Sequence, residues 1–432
     1  MLAHLLRVVP FRSRPAFQFH LVYNVGRGVF AALLPLSLVI LKGSLNAPLW
    51  HLSVMGSIWG GAGLLSPLFA YLCRRLDPRV LVIWPNVATG LCMIVVPLLN
   101  TAASFLIVLI AAFLIGFPTR VVEMSVYRLV FPSSHLARAV GWMKCMSFVV
   151  AAITGCVGTY LIDVSDEFPW YSLLFVLCGV LLFFGARDYG RIPLPASAAF
   201  RKESSVPIHV IFSQSLVRLS ADKRFLIFQA AFMASGFANH LSMFLIVEVL
   251  NEDLQTTVWI TGTVFVLIPQ FLKALMAPLW GLVLDRITPM AGRAIFSGFM
   301  MAAYGTFCYG GLTGQIGPFF MGSFLQGISQ SGNQINWETG SLYFARRDQV
   351  PLYNSVHVTL TGLRGLIAPF VGLLLFENLG WGSWVFGSSV VLAAVGMVLM
   401  IYLVKTDSGP REDSLPSPTL PSVRTGKRMS CE

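Results

Sequence analysis

The chain contains about twelve apolar stretches, at 17–41, 49–73, 80–99, 102–130, 139–162, 169–185, 225–250, 257–283, 294–312, 318–344, 354–376 and 381–404. Each is close to the roughly 20 residues of helix that cross a hydrocarbon core, so the chain must put its apolar surface against lipid. Of its 30 Lys and Arg residues, 24 fall at the termini and in alternate loops, and the opposite loops hold Lys42 alone. Those opposite loops carry Asp163, Asp166, Glu167, Glu252, Asp253 and Glu377 instead. Basic loops stay on the cytoplasmic side, so both termini are expected there and the number of spans is even.

With 11% charged residues and a mean hydropathy of +0.74, a chain of 432 residues is not a soluble globule. Its formal charge of +11 is scattered over inner loops. That distribution argues for topology and anionic lipid rather than nucleic acid. The seven cysteines form no CxxC pair, and six of them fall in or beside apolar spans, as small packing residues do. The basic, then apolar N-terminus is too long for a signal peptide and contains Asn24 and Arg27, so it reads as an uncleaved first span.

The one long loop divides the spans six and six, which gives a bundle over 1–186, a cytoplasmic loop over 187–224 and a second bundle over 225–405. Within the loop, Val206 to Leu219 mixes apolar and polar residues and reads equally as a surface helix or a solvated linker. The tail, 406–432, is Pro/Ser-rich and charged, hence expected to be disordered. The halves repeat: Ala70 to Arg75 ends the second span as Gly281 to Arg286 ends the eighth, an offset of 211. Phe113 to Gly116 and Phe324 to Gly327 share that offset, which argues for duplication.

Twelve spans, cytoplasmic termini, a central loop and a repeat resemble the major facilitator superfamily of secondary transporters. That family's signature after the second span is Gly-x-x-x-Asp-Arg-x-Gly-Arg-Arg. The second half keeps its core as Gly281, Asp285 and Arg286, with Thr288-Pro289 where Gly-Arg would stand. In the first half Ala70 and Arg74 replace the Gly and Asp, while Arg75, Asp77 and Arg79 keep the loop charged. The resemblance implies an all-α polytopic protein of two pseudo-repeated six-helix bundles. It also implies a conformational latch at Arg75, Asp77, Gly281, Asp285 and Arg286. The Arg-x-x-Gln-Gly of many proton-linked members is absent from span four, and the Gly-x-x-x-Gly-Pro of drug antiporters is absent from span five.

Charges inside the spans cost about 2.5–3.5 kcal/mol each on insertion scales and so ask for a reason. Arg27, Arg120, Glu123, Lys144, Lys273, Glu338 and Arg364 lie in spans 1, 4, 5, 8, 10 and 11. Spans 3, 6, 9 and 12 read as uncharged, and in the resembling family those four are outer supports. In span ten, Gln326, Gln330, Asn333 and Trp337 follow steps of 4, 3 and 4, a polar stripe on one helical face that needs a wet cavity. The expected substrate path is Asn24, Arg27, Arg120, His240, Lys273, Gln330, Asn333, Trp337 and Arg364, with Glu123 and Glu338 as candidates for proton coupling. Arg120 and Glu123 stand i,i+3 and equally read as a neutralising pair. Lys144 reads as snorkelling to the interface, and His20 and His357 as interfacial. Gly56, Gly60 and Gly63, with Gly362, Gly365 and Gly372, read as sites of close helix approach, and Pro369 as a point where span eleven bends.

No P-loop, HExxH or Gly-x-Ser-x-Gly is present, which excludes an ATP-driven pump and the corresponding enzymes. The expected function is gradient-driven or facilitative transport of a small organic anion or zwitterion by alternating access. No cofactor, metal or nucleic-acid partner is expected; the partners are the substrate, the bilayer and a coupling ion, and the protein is expected to be a monomer. The alternative is a transporter-like sensor, lipid translocator or assembly partner. The outer loops carry no Asn-x-Ser/Thr site, which fits a bacterial inner membrane.

Overall fold

The computed structural model describes residues 9–72, 76–99, 101–116, 119–132, 135–164, 169–194, 222–345, 350–407 and 409. Among them, secondary structure is helical throughout. The spans are α1 (Arg14–Val39), α2 (Leu49–Gly61, continued as Ser66–Leu72), α3 (Pro78–Val95), α4 (Ala102–Gly116 and Thr119–Val130), α5 (Leu136–Asp163) and α6 (Ser172–Tyr189). The second set is α7 (Lys223–Ser242), α8 (Val258–Gly262 and Ile268–Leu284), α9 (Pro289–Thr313), α10 (Gly317–Thr339), α11 (Val350–Leu373) and α12 (Trp384–Lys405). Among the described residues, eight helical segments are long and apolar enough on their own to cross a membrane. The latch residue Arg75, the proposed surface helix at 206–219 and the tail from 410 lie outside the described residues.

Side-chain oxygens start several helices by accepting from the first free N–H groups: Asp77 at α3, Asp222 at α7, Thr257 at α8 and Thr288 at α9. Thr288 is followed by Pro289 at the first helical position, where a missing N–H costs nothing. The departure from the family signature at Thr288-Pro289 is thus a helix start.

The duplication is visible in the backbone. At the end of the molecule holding Lys42, α1 and α7 run into π-helical turns, Ile40–Ser44 and Val249–Asp253. Leu45 N–H donates to Ile40 O at 2.9 Å, as Leu254 N–H does to Val249 O at 2.9 Å. The next residue is left-handed in each, Asn46 at φ 45° and Gln255 at φ 48°. The end of α11 repeats the turn over Leu374–Asn378, with Gly380 at φ 64°.

α1 packs on α5 and α6, and α3 on α4 and α6; α7 packs on α11 and α12, α9 on α10 and α12, and α8 on α10. Two seams join the sets, α5 with α8 and α2 with α11. Glycines let the backbones touch at both. A Cβ on Gly63 would meet Val358 O at 2.8 Å, and one on Gly281 would meet Ala137 O at 3.1 Å. Gly60 and Gly365 face each other directly, so the glycine expectation for spans two and eleven describes the contact. Helix α11 continues through Pro369 to Leu373.

Polar contacts cross between the sets at both ends. Arg138 on α5 lies 3.4 Å from Asp285 at the end of α8. Burial pushes the Asp285 carboxyl above its usual range, and Arg138 pulls it down. At the opposite end Lys42 reaches Glu248 at 3.1 Å and Glu252 at 2.9 Å. Of the other latch residues, Asp77 turns to its own neighbour Arg79 at 2.6 Å, and those hydrogen bonds hold its carboxyl below the usual range. Arg286 is exposed.

Candidate functional site

A cavity of about 270 Å³ lies between the two sets of helices. Its wall contains Asn24, Arg27, Arg120, His240, Lys273, Gln330, Asn333, Trp337 and Arg364, together with Glu123; Glu338, the other expected proton-coupling residue, is buried beside Trp337 but does not line the cavity. The polar stripe of α10 faces it through Gln326, Gln330, Asn333, Gln334 and Trp337. Hydrocarbon cannot solvate such amides, and this burial between helices removes them from lipid.

Two expectations are corrected. Lys144 does not snorkel: it lines the cavity and pairs with Glu338 at 2.7 Å, both side chains nearly enclosed. The pair ties α5 to α10, and Gln334 Nε2 donates to the same Glu338 oxygen at 2.9 Å. Arg293 stands just before the apolar stretch 294–312, so span nine reads as uncharged from the sequence. Because α9 begins at Pro289, Arg293 stands one turn inside the helix, 4% exposed, on the cavity wall. The Thr-Pro start was the signal that would have found it.

His20 and His357 are corrected too, from interfacial to buried. His20 sits against the rings of Tyr127, Phe131 and Tyr189. His357 Nδ1 lies 3.0 Å from Gln229 Oε1, and its ring stands 5.8 Å from that of Trp337. Trp337 Nε1 donates to Thr361 Oγ1 at 3.2 Å, which fixes the indole at the cavity edge.

Among the described residues the cavity wall holds six basic side chains, Arg27, Arg120, Lys144, Lys273, Arg293 and Arg364, against one acidic one, Glu123. Glu338 is taken by Lys144. Glu123 accepts from Tyr23 Oη at 2.6 Å and Thr119 Oγ1 at 3.3 Å, and the Arg120 guanidinium lies 6.0 Å from the Trp337 ring centre. Aromatic faces accompany other cations: Arg27 is 5.4 Å from the Phe30 ring centre and Lys273 is 6.0 Å from that of Phe148. Ring quadrupoles attract cations weakly and leave the net charge unchanged. Arg27 Nη1 is buried without a hydrogen-bond acceptor among the described residues. Asn24 is turned away, donating to His20 O at 2.7 Å. The described residues hold no cluster of metal-ligating type.

The arrangement can bind a small polar solute and surround it with positive charge, amides and rings.

Residues 225–429 match the family model described as Major Facilitator Superfamily. The chain matches no curated protein sequence significantly. Among solved structures it is similar to the transporter FucP in an outward conformation, with TM-score 0.66 and 13% identity, covering 91% of this chain and 98% of that one. FucP is described as the E. coli fucose:proton symporter. The nucleoside transporter NupG gives TM-score 0.64 at 12% identity over 90% of this chain and 99% of that one. The human organic anion transporter MFSD10 gives 0.63 at 13%, over 91% and 99%. The second half of the chain thus matches the Major Facilitator Superfamily model by sequence, and 91% of the chain shares the fold of a solved transporter of that superfamily.

Proposed function

We propose that the protein carries a small organic anion across the membrane by alternating access, the bundles of 1–186 and 225–405 rocking about the central cavity. One observation carries the substrate class: among the described residues six cations and one carboxylate, Glu123, line the cavity, Glu123 accepts from Tyr23, and Lys144 alone of the six is paired with a carboxylate, Glu338. A bound carboxylate or phosphate would relieve the burial of the remaining cations, and Arg offers either group a two-pronged fit. The solved relatives carry different solutes at 12–13% identity, so the choice rests on this chain's own charges. Arg27 and Arg364 then hold the substrate, and the α10 amides and Trp337 select its uncharged part. Glu123 and Glu338 are the groups available to a coupling proton.

In proteoliposomes, uptake of organic anions is expected, and uptake of organic cations of equal size is not. Arg27→Gln should weaken anion binding roughly 10–100-fold, the value of about 1.5–3 kcal/mol for one charged hydrogen bond. Saturable transport of cations alone would defeat the reading.

The distribution of Lys and Arg supports cytoplasmic termini, and outer loops without an Asn-x-Ser/Thr site support a bacterial inner membrane. With the native cysteines replaced, Gln315→Cys should react with an impermeant thiol reagent added to intact cells, and Arg191→Cys only after lysis. The opposite pattern would invert the topology.

A further inference from the structure

Arg293 of α9 and Arg364 of α11 converge on one ring. The guanidinium carbon of Arg293 lies 3.9 Å from the centre of Phe232, and that of Arg364 lies 6.0 Å from the same centre. They are 4% and 6% exposed and both line the cavity. Their hydrogen-bond acceptors are all neutral. Arg293 donates to Asn333 Oδ1 and to Ser235 Oγ, and Arg364 donates to the carbonyl of Phe232. Each keeps a buried Nε–H without an acceptor among the described residues. No carboxylate pairs with either among the described residues. Two like charges in a low-dielectric wall repel, and neutral oxygens reduce that repulsion only in part.

Space has been kept for this pair. Gly236 stands where a Cβ would overlap the guanidinium of Arg364. Asn333 is held in turn by Ser329, its Nδ2 lying 3.2 Å from Ser329 Oγ. The supporting groups therefore position both heads, which favours binding over casual packing.

We infer that the Arg293–Phe232–Arg364 cluster is the subsite for a doubly charged head group, so that the substrate is a small organic dianion rather than a monoanion. A single carboxylate would neutralise one guanidinium and leave its neighbour uncompensated. A phosphate monoester, or two carboxylates on neighbouring carbons, brings two negative charges to the pair at once. This rests on the anion-transport reading above and names its substrate class.

The test uses the purified full-length protein and ligand-induced thermal stabilisation. Two pairs of probes are compared on matched skeletons: a sugar phosphate against the sulfate ester of the same alcohol, and a dicarboxylate against its monoamide. Phosphate and sulfate heads share shape and differ in charge, about −2 against −1 near neutral pH. The dianion of at least one pair is expected to bind 10-fold or more tightly than its monoanion; which pair it is separates phosphate from dicarboxylate. Arg293→Gln and Arg364→Gln should each remove most of that preference while affecting the monoanion less. Gly236→Ala gives a second variant, since the three atoms nearest the new methyl all belong to the guanidinium end of the flexible Arg364 side chain, which it would displace. It should reduce dianion binding with little change in the melting temperature of the free protein. Equal binding of monoanion and dianion, sensitive to Arg27→Gln, would overturn the dianion subsite and leave anion transport standing. Binding of neither, with cations or neutral solutes bound instead, would overturn both.

Discussion

Lys144→Met is expected to destabilise the protein by about 3–5 kcal/mol, because it strands a buried carboxylate. Glu338 is 4% exposed, its Oε2 has no hydrogen-bond partner, and Gln334 gives the other oxygen one neutral donor. Adding Glu338→Gln to Lys144→Met removes the stranded charge and should recover most of the loss, since a neutral pair in the same volume avoids the desolvation penalty. Thermal and denaturant unfolding in detergent reads both variants. The account fails if the single variant is as stable as the double. The same pair joins α5 to α10, so the double variant should also lose one polar tie between the two sets of helices. A change in the ratio of forward to reverse transport rates would register that loss.

Gly365→Leu is expected to have the largest effect on transport. Gly365 and Gly60 meet backbone to backbone where α2 crosses α11, and neither wall can withdraw without separating the helices. Overpacking a tight contact costs about 1–3 kcal/mol, equivalent to a roughly 5–150-fold bias against whatever state closes that seam. Uptake should fall at least about 5-fold by that estimate, while the amount of protein in the membrane is unchanged. Gly305→Leu is the control, since a side chain there meets nothing within 4 Å. If both variants transport equally well, the seam does not move during the cycle.

Much of this was legible in the sequence for identifiable reasons. A charge within an apolar span has few stable destinations, so Arg27, Glu123, Lys273 and Arg364 pointed to the cavity from the sequence alone. The α10 stripe was equally legible, since spacing alone puts Gln330, Asn333 and Trp337 on one face. Arg293 was hidden because hydropathy finds the apolar middle of a helix and misses a polar first turn. Lys144 was hidden because distance from a span end does not show what lies across the gap. Its partner is 194 positions away on α10. The Phe232 cluster was out of reach for the same reason, being assembled from α7, α9 and α11.

The π-helical turns also record the chain's history. At the left-handed residues Asn46 and Gln255 the two halves are 209 positions apart, and at Ala70 and Gly281 they are 211 apart. Two residues therefore separate the copies somewhere between these landmarks. In this interval α2 tightens into a 3₁₀ turn at Ala62–Leu65, while α8 widens into a π turn at Thr263–Leu267. A π turn is how a helix accommodates an inserted residue without losing its axis. The widened stretch also puts Phe265 on the cavity wall. Insertion within a buried helix could thus reshape the solute chamber of one copy while both copies kept their seams, a route to new specificity that point substitution does not offer.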